Sequence, residues 1–591
     1  MFSAVARYAN KMRRHHILLP LAALLATLPL LLHGCSCGHD FGFHLQSWLE
    51  AAQQLRHGTL YPHWAWTAAY NAGEPRFVYY PPLSWMLGAL LTLLFPISAT
   101  PAIYTWIAFT AAGFAMHHLA RQYTSPNAAL LAAALYMANP YMLFNAFERT
   151  AYAELLAAAW IPLLLLAVLR KHPTVQGIAI PVALLWLTNA PAAVMACYML
   201  ALLAAVRLIA AYRVSKKTFS PKPFPLLLTI STGTVLGLAL PAFYLVPAAY
   251  ERRYVQIAMA IIPNMRFEDN FLFGHTADVP HNVVLHTISL LAVVLLLLTL
   301  GTIAVLLYRA PKAGCAQEAR ASASHQEPGT PGPYLALLTV VIVFLLVPIS
   351  TPLWRYLPDL AFLQFPWRLL TILSAVLVFA IALLLPRGDR SRKPMLIAAP
   401  VCVLALSLLG ITLYRQACEA TGLPSATAAL FSTHHGVPPT DEYTPNEADN
   451  DVLRSNDPGY WLTPNPAAFA PGTIPNPAAT DPNFSGELPV EQTVSAQAPR
   501  HLVLNLAQPE TLVLNLRDFP DWRLTRNGTE LPAHLQRDDG LLAIALPSGP
   551  STIDIAWHYT LDQQLGIAIS ACALALLGLT FLRSRKIKDC R

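Results

Sequence analysis

The sequence predicts a polytopic α-helical membrane protein with a small extracytoplasmic β-sandwich near its C-terminus. Three observations predict it. Only 12% of the 591 residues are charged and 55% are hydrophobic, about half the charge fraction of a soluble domain. Several apolar runs reach about 18 residues, the length that crosses a bilayer core of roughly 30 Å. Residues 501–557 alternate apolar with polar, and the turn dipeptides Asn527-Gly528 and Asp539-Gly540 punctuate them as in antiparallel hairpins.

The first apolar run covers 17–32. Arg7, Lys11, Arg13 and Arg14 precede it, as in a secretory signal, and Leu32-His33-Gly34-Cys35 loosely matches a lipoprotein cleavage box. His33 fits that box poorly and no small-residue site is clear, so an uncleaved first span is expected. Further spans are expected near 101–120, 127–145, 152–169, 176–190, 192–211, 224–248, 284–308, 333–350, 368–386, 394–414 and 564–582, about twelve in all. The run 82–96 is apolar but short, with Pro at both ends. Read as a helix at the outer surface, it leaves every strong basic cluster on one side, 24 of the 39 Lys and Arg residues. That is the cytoplasmic signature, and it puts both termini inside a bacterial inner membrane. The formal charge of +7 is thereby spread along membrane edges, which argues against a nucleic-acid partner.

The expected organisation is a transmembrane domain over 1–414 with a long outer loop at 34–100. An extracytoplasmic region follows over 415–563, loop-rich at first and β-rich over 500–560. A last span and cytoplasmic tail occupy 564–591. The loop 309–332 reads as a flexible inner linker. Asn527-Gly528-Thr529 and Asn483-Phe484-Ser485 match glycosylation acceptors, but weakly. Of the eight Cys, Cys197, Cys402 and Cys572 fall in apolar runs. Cys35 and Cys37 fall at the outer surface, where a bridge is conceivable; with Cys418 also outside the count is odd, and no disulfide framework follows.

The spans hold almost no ionisable groups, apart from His117 and His118 near an inner end. An ion-coupled transporter needs such groups at mid-membrane. The charges gather instead where lipid meets water, which favours an interfacial site. Asp40 is the first carboxylate of the chain, just past the first span and beside His39 and His44. There it could take a proton from a hydroxyl or hold a divalent cation, Mg or Mn, with a phosphate. If Asp40 begins a helix, His44 shares its face. Glu148, Arg149 and Glu154 bracket the second outer turn; six residues apart, the two Glu cannot point the same way on one continuous helix. Arg149 and Arg368 suit phosphate, which a guanidinium fork matches, although arginines at span ends also snorkel. Trp64, Trp66, Tyr79 and Tyr80 could stack on sugar rings or form an interfacial aromatic belt, the belt being the commoner case.

These motifs resemble a known family. GHDFGFH at 38–44, YYPPL at 79–83, ERTAYAE at 148–154 and FPWR at 365–368 resemble bacterial membrane proteins labelled 6-pyruvoyl-tetrahydropterin synthase-related, a label with no bearing on pterin chemistry. DFPDWRLTRNGTEL at 518–531 through HYT at 558–560, followed by a final span, resembles the end of YfhO-like membrane proteins. An acid after the first span and another in the next outer turn resemble the GT-C superfamily of polytopic glycosyltransferases. The resemblance implies transfer of a sugar from a polyprenyl-phosphate donor at the outer leaflet, usually with inversion. It implies Asp40 as base and a second acid role for Glu154 or Glu148. The superfamily's paired acids are replaced here by His39-Asp40, which leaves metal dependence open. The alternative is a non-catalytic carrier or assembly factor for lipid-linked cell-surface polysaccharide; a plainer one is a structural membrane protein. Membrane lipids and a lipid-linked sugar are the expected partners.

Overall fold

The computed structural model describes residues 2–218, 223–309, 331–385, 392–475, 496–531 and 534–589. The expected linker at 309–332 and the acceptor match at 483–485 lie almost wholly outside them. Among the described residues seven helices are long and apolar enough to cross a membrane: Pro126–Phe147, Tyr152–Leu169, Ala190–Arg213, Val279–Tyr308, Pro366–Leu384, Ile397–Tyr414 and Leu561–Leu582. Two more candidates are broken pairs, Pro223–Ala239 with Ala242–Tyr254, bent by 71°, and Gly332–Leu345 with Pro348–Tyr356, bent by 93°. Pro241 and Pro348 stand at those breaks, where a ring in place of an N–H interrupts the helical ladder. Ile17–His33 and Val175–Thr188, read as spans from the sequence, are shorter apolar helices. The run 82–96 forms the helix Pro82–Leu94.

That helix does not merely float at a surface. Seven of its residues, among them Ser84, Trp85 and Gly88, are buried, and it packs on the helix Phe41–Arg56. A Cβ at Gly88 would lie 2.1 Å from Trp48 Nε1, so only glycine lets the two helices approach this closely. The loop before it is held by its own buried polar groups. Glu50 accepts from the Thr67 backbone N–H and hydroxyl at 3.1 and 2.7 Å, and Arg76 pairs with Glu74 at 2.7 Å.

The β region has two antiparallel sheets. β1 (Tyr460–Thr463), β3 (Glu510–Arg517) and β6 (Leu541–Leu546) form one, in the order β1-β3-β6; β2 (His501–Leu506), β4 (Trp522–Arg526), β5 (Thr529–Glu530) and β7 (Gly549–Trp557) form the other, in the order β2-β7-β4-β5. Leu512, Leu514, Leu542 and Ile544 of the first sheet share one apolar core with Leu524, Ile553 and Ile555 of the second. Asn527 and Gly528 have φ of 51° and 79°, the double left-handed turn of a tight hairpin. Asp539-Gly540 instead sits in a wider loop, bridged by Leu535 against Ala543.

Two expectations change here. Cys37 forms a disulfide with Cys418, 381 residues away, and Cys35 is the free thiol beside it, its Sγ 3.5 Å from that of Cys418. Trp64 and Trp66 form neither belt nor sugar platform. Trp64 packs on Phe519, Trp522 and Trp557, and Trp66 on Trp522. Tyr79 stacks on Tyr443 at 5.7 Å. These rings dock the first loop onto the region after 415.

Candidate functional site

The site is built on a reversal of the chain. Asn139 caps the helix Pro140–Phe147, its Oδ1 accepting from the Tyr141 N–H at 3.0 Å. The helix stops at Glu148. Thr150 then takes a φ of 49°, a left-handed conformation that costs a β-branched residue of order 1–3 kcal/mol. A new helix starts at Tyr152 with Glu154 in its first turn. The reversal brings Glu154 back beside Asn145 and Arg149; the helix is broken between the two Glu, so the continuous-helix spacing does not apply.

Glu154 becomes the hub. It is 2% exposed and its two oxygens accept four hydrogen bonds, from Tyr141 Oη at 2.8 Å, Asn145 Nδ2 at 3.1 Å, Thr371 Oγ1 at 3.2 Å and Arg149 Nη1 at 2.6 Å, while Arg368 Nε stands at ion-pair distance, 3.4 Å. Both arginines are buried. Arg149 also lies 5.0 Å from the centre of the Trp367 ring, and Arg368 4.9 Å from that of Phe365. The Phe365-Pro366-Trp367-Arg368 segment thus supplies a guanidinium and the aromatic faces on which both guanidinia rest. Burial opposes the charge of Arg149, but Glu154 and Asp40 more than offset it and hold its pKa above the usual arginine value.

The first loop is laid directly on this reversal. Ser36 Oγ donates to the Phe147 carbonyl at 2.6 Å, and the Asp40 N–H to the Arg149 carbonyl at 2.9 Å. A Cβ at Gly38 would fall 2.0 Å from the Glu148 carbonyl oxygen, so the glycine of GHD is a packing requirement. Asp40 then stands at the N-terminal cap of Phe41–Arg56 with no side-chain capping bond, its Oδ2 3.6 Å from Arg149 Nη2. Its side chain is 39% exposed, against 2% for Glu154. Asp40 is the member of the group that a water-borne molecule can reach.

The remaining candidates surround this core. His39 Nε2 lies 3.9 Å from Glu148 Oε1. Burial raises the Glu148 pKa, an effect opposed by Gln416, and burial lowers that of His39 against the pull of Asp40. His44 is buried among the rings of Phe43, Tyr80 and Tyr152, and burial pushes its pKa down to about 4. Tyr80 packs on Phe43 at 4.9 Å; burial first, then Asp40, raises its pKa well above the usual value. The structure therefore gathers Asp40, Arg149, Glu154 and Arg368 into one cluster, sets His39 and Glu148 at its rim, and leaves His44 and Tyr80 beside it in aromatic packing.

A divalent cation on Asp40 does not fit these residues. Its near neighbours are two guanidinia and a histidine. Among the described residues the only His, Cys and acid group whose ligand atoms lie within 4.8 Å of one another is Cys35, Cys37 and Cys418. Tyr141, Asn145 and Thr371 escaped the sequence reading. Tyr141 and Asn145 lie four residues apart on one face of the helix Pro140–Phe147, Arg149 just past its end continues that spacing, and the spacing was the available signal.

The sequence model for the 6-pyruvoyl-tetrahydropterin synthase related domain, described as a membrane protein, matches residues 77–417, and the chain belongs to that family. The match takes in Arg149, Glu154 and Arg368 and begins after Asp40. No curated protein matches the chain. Among solved structures it is similar to the arabinofuranosyltransferase AftD from Mycobacteria, at 14% identity and a TM-score of 0.43, over 93% of this chain and 40% of that one. It is also similar to the oligosaccharyltransferase of Archaeoglobus fulgidus, at 13% identity and a TM-score of 0.38, over 72% of this chain and 60% of that one. The chain thus spans less than two-thirds of either.

Proposed function

We propose that this member of the family is a membrane glycosyltransferase that moves a sugar from a polyprenyl-phosphate-linked donor to an acceptor hydroxyl, at the outer face of a bacterial inner membrane. The observation that carries the reading is the meeting of Asp40, from the first loop, with two buried arginines held by Glu154. Two guanidinia face Glu154 and, at the water-facing edge, Asp40; once Asp40 takes up a proton, the cluster is left with a positive charge for a phosphate. An apolar groove lined by Tyr198, Leu345, Leu360 and Leu369, the residue after Arg368, suits the lipid chain.

In this reading the Asp40 carboxylate takes the proton of the acceptor hydroxyl. The acceptor oxygen bonds to the anomeric carbon, the bond from that carbon to the phosphate oxygen breaks, and the electron pair leaves with the phosphate onto Arg149 and Arg368. Glu154 positions the arginines. His39 and Glu148, at the rim, contact the acceptor side. Asp40→Asn, in proteoliposomes with a labelled polyprenyl-phosphate sugar, is expected to lower transfer by about 10²–10⁴-fold with the protein still folded. Unchanged transfer removes Asp40 from the mechanism. Binding of the lipid-linked sugar by wild type without bond cleavage favours a carrier or assembly factor.

A further inference from the structure

The disulfide that ties the first loop to the region after Ile397–Tyr414 has a third sulfur beside it. Cys37 is bonded to Cys418, and the free thiol of Cys35 lies 3.5 Å from the Cys418 Sγ. All three Sγ atoms fall within 4.8 Å of one another. Backbone pairing holds them there. The Cys37 N–H donates to the Gln416 carbonyl at 3.2 Å. Ser36 Oγ accepts from the Gln416 N–H at 2.8 Å and donates to the Phe147 carbonyl at 2.6 Å. Residues 35–37 thus run beside 416–418, anchored on the reversal that carries the arginine site. Ser36 is buried, whereas Cys35, Cys37 and Cys418 are half-buried, so water reaches the sulfurs.

A thiolate in contact with a disulfide sulfur can displace its partner, and the exchange needs no outside oxidant. Here the Cys35 thiol gives its proton to solvent and its sulfur bonds to Cys418 Sγ. The Cys37–Cys418 bond breaks, and the electron pair leaves on Cys37 Sγ, which takes up a proton. One thiol and one disulfide enter, and one of each leaves. The two linkages close loops of almost equal length, 381 and 383 residues, so loop entropy does not favour either. The groups that act on Cys35 are Arg415, which donates to the His33 carbonyl at 2.8 Å, and Tyr152. Burial raises the Cys35 pKa more than Arg415 lowers it, so the thiolate is scarce at neutral pH and grows as pH rises.

We propose that Cys35 is a nucleophilic exchange site that moves the cross-link at Cys418 between Cys37 and Cys35. The exchange shifts the tether from three residues before Asp40 to five, and it leaves the free thiol on whichever cysteine is released. It is separate from the proposed transfer chemistry and does not depend on it.

The test uses the full-length protein in detergent without reductant. Free thiols are blocked with N-ethylmaleimide after acid quenching, and mass spectrometry places the label by fragmentation between residues 35 and 37. Wild type held at pH 8 is expected to carry label on Cys35 in some molecules and on Cys37 in others. Starting from protein kept at pH 6, free Cys37 should appear about tenfold faster at pH 8 than at pH 7, at a rate unchanged by dilution. Cys35→Ser should leave Cys37 unlabelled. Cys37→Ser should yield a Cys35–Cys418 linked peptide, with labelling of Cys35 at least roughly tenfold below that of wild type. Label confined to Cys35 in wild type after a day at pH 8 overturns the proposal, and that arm needs no variant to fold. So does a Cys37→Ser protein with both remaining thiols free, and so does a rate that rises with protein concentration, which would mark exchange between molecules.

Discussion

Glu154 and Asp521 are both carboxylates with almost no exposure, and they differ in what surrounds them. Glu154 receives two guanidinia, an amide and two hydroxyls. Asp521 receives one amide N–H and faces two further acids. In the first case two guanidinia surround the buried carboxylate, and Asp40 at the water-facing edge supplies the second negative charge. In the second the carboxylate has one amide donor and no basic partner among the groups acting on it. A buried acid is therefore read from its partners and not from its burial.

Isosteric amides should separate the two regions by sign. Glu154→Gln leaves two buried guanidinia without their counter-charge, and should destabilise the protein by about 3–5 kcal/mol. Asp521→Asn removes a buried carboxylate set beside another acid, and should stabilise it by about 1–2 kcal/mol. Thermal unfolding of the two variants beside wild type checks both. Equal signs would break the comparison.

A smaller effect concerns His44. Its pKa is lowered from 6.5 to about 4, so the unfolded chain takes up a proton at a higher pH than the folded one. The stability it contributes is complete above about 6.5 and is lost as pH falls through about 4. His44→Gln should flatten the fall in Tm over that window. An unchanged slope would mean that His44 is not held neutral by its aromatic cage.

The charged half of the site was legible because charge is rare in this chain. Asp40, Arg149, Glu154 and Arg368 stand out against apolar surroundings, and their short motifs fix them to turns. The strands from 501 to 557 were legible from alternation, since a two-residue period shows directly in sequence. Long-range partnerships were not. Cys37 and Cys418 are 381 residues apart, and the meeting of Glu251, Asp521 and Asp562 depends on how the β region docks. The same docking takes Trp64 into the core and packs Trp66 against it. The number of spans was blurred by prolines 241 and 348, which bend apolar runs that composition alone reads as straight.

The central claim is that Asp40 and Arg149 act as one unit in sugar transfer. A double-mutant cycle with Asp40→Asn and Arg149→Lys, read as transfer rate in proteoliposomes, tests it most directly. The account predicts that the double variant is no slower than the slower single variant. Losses that simply multiply would show two independent residues and contradict the shared site.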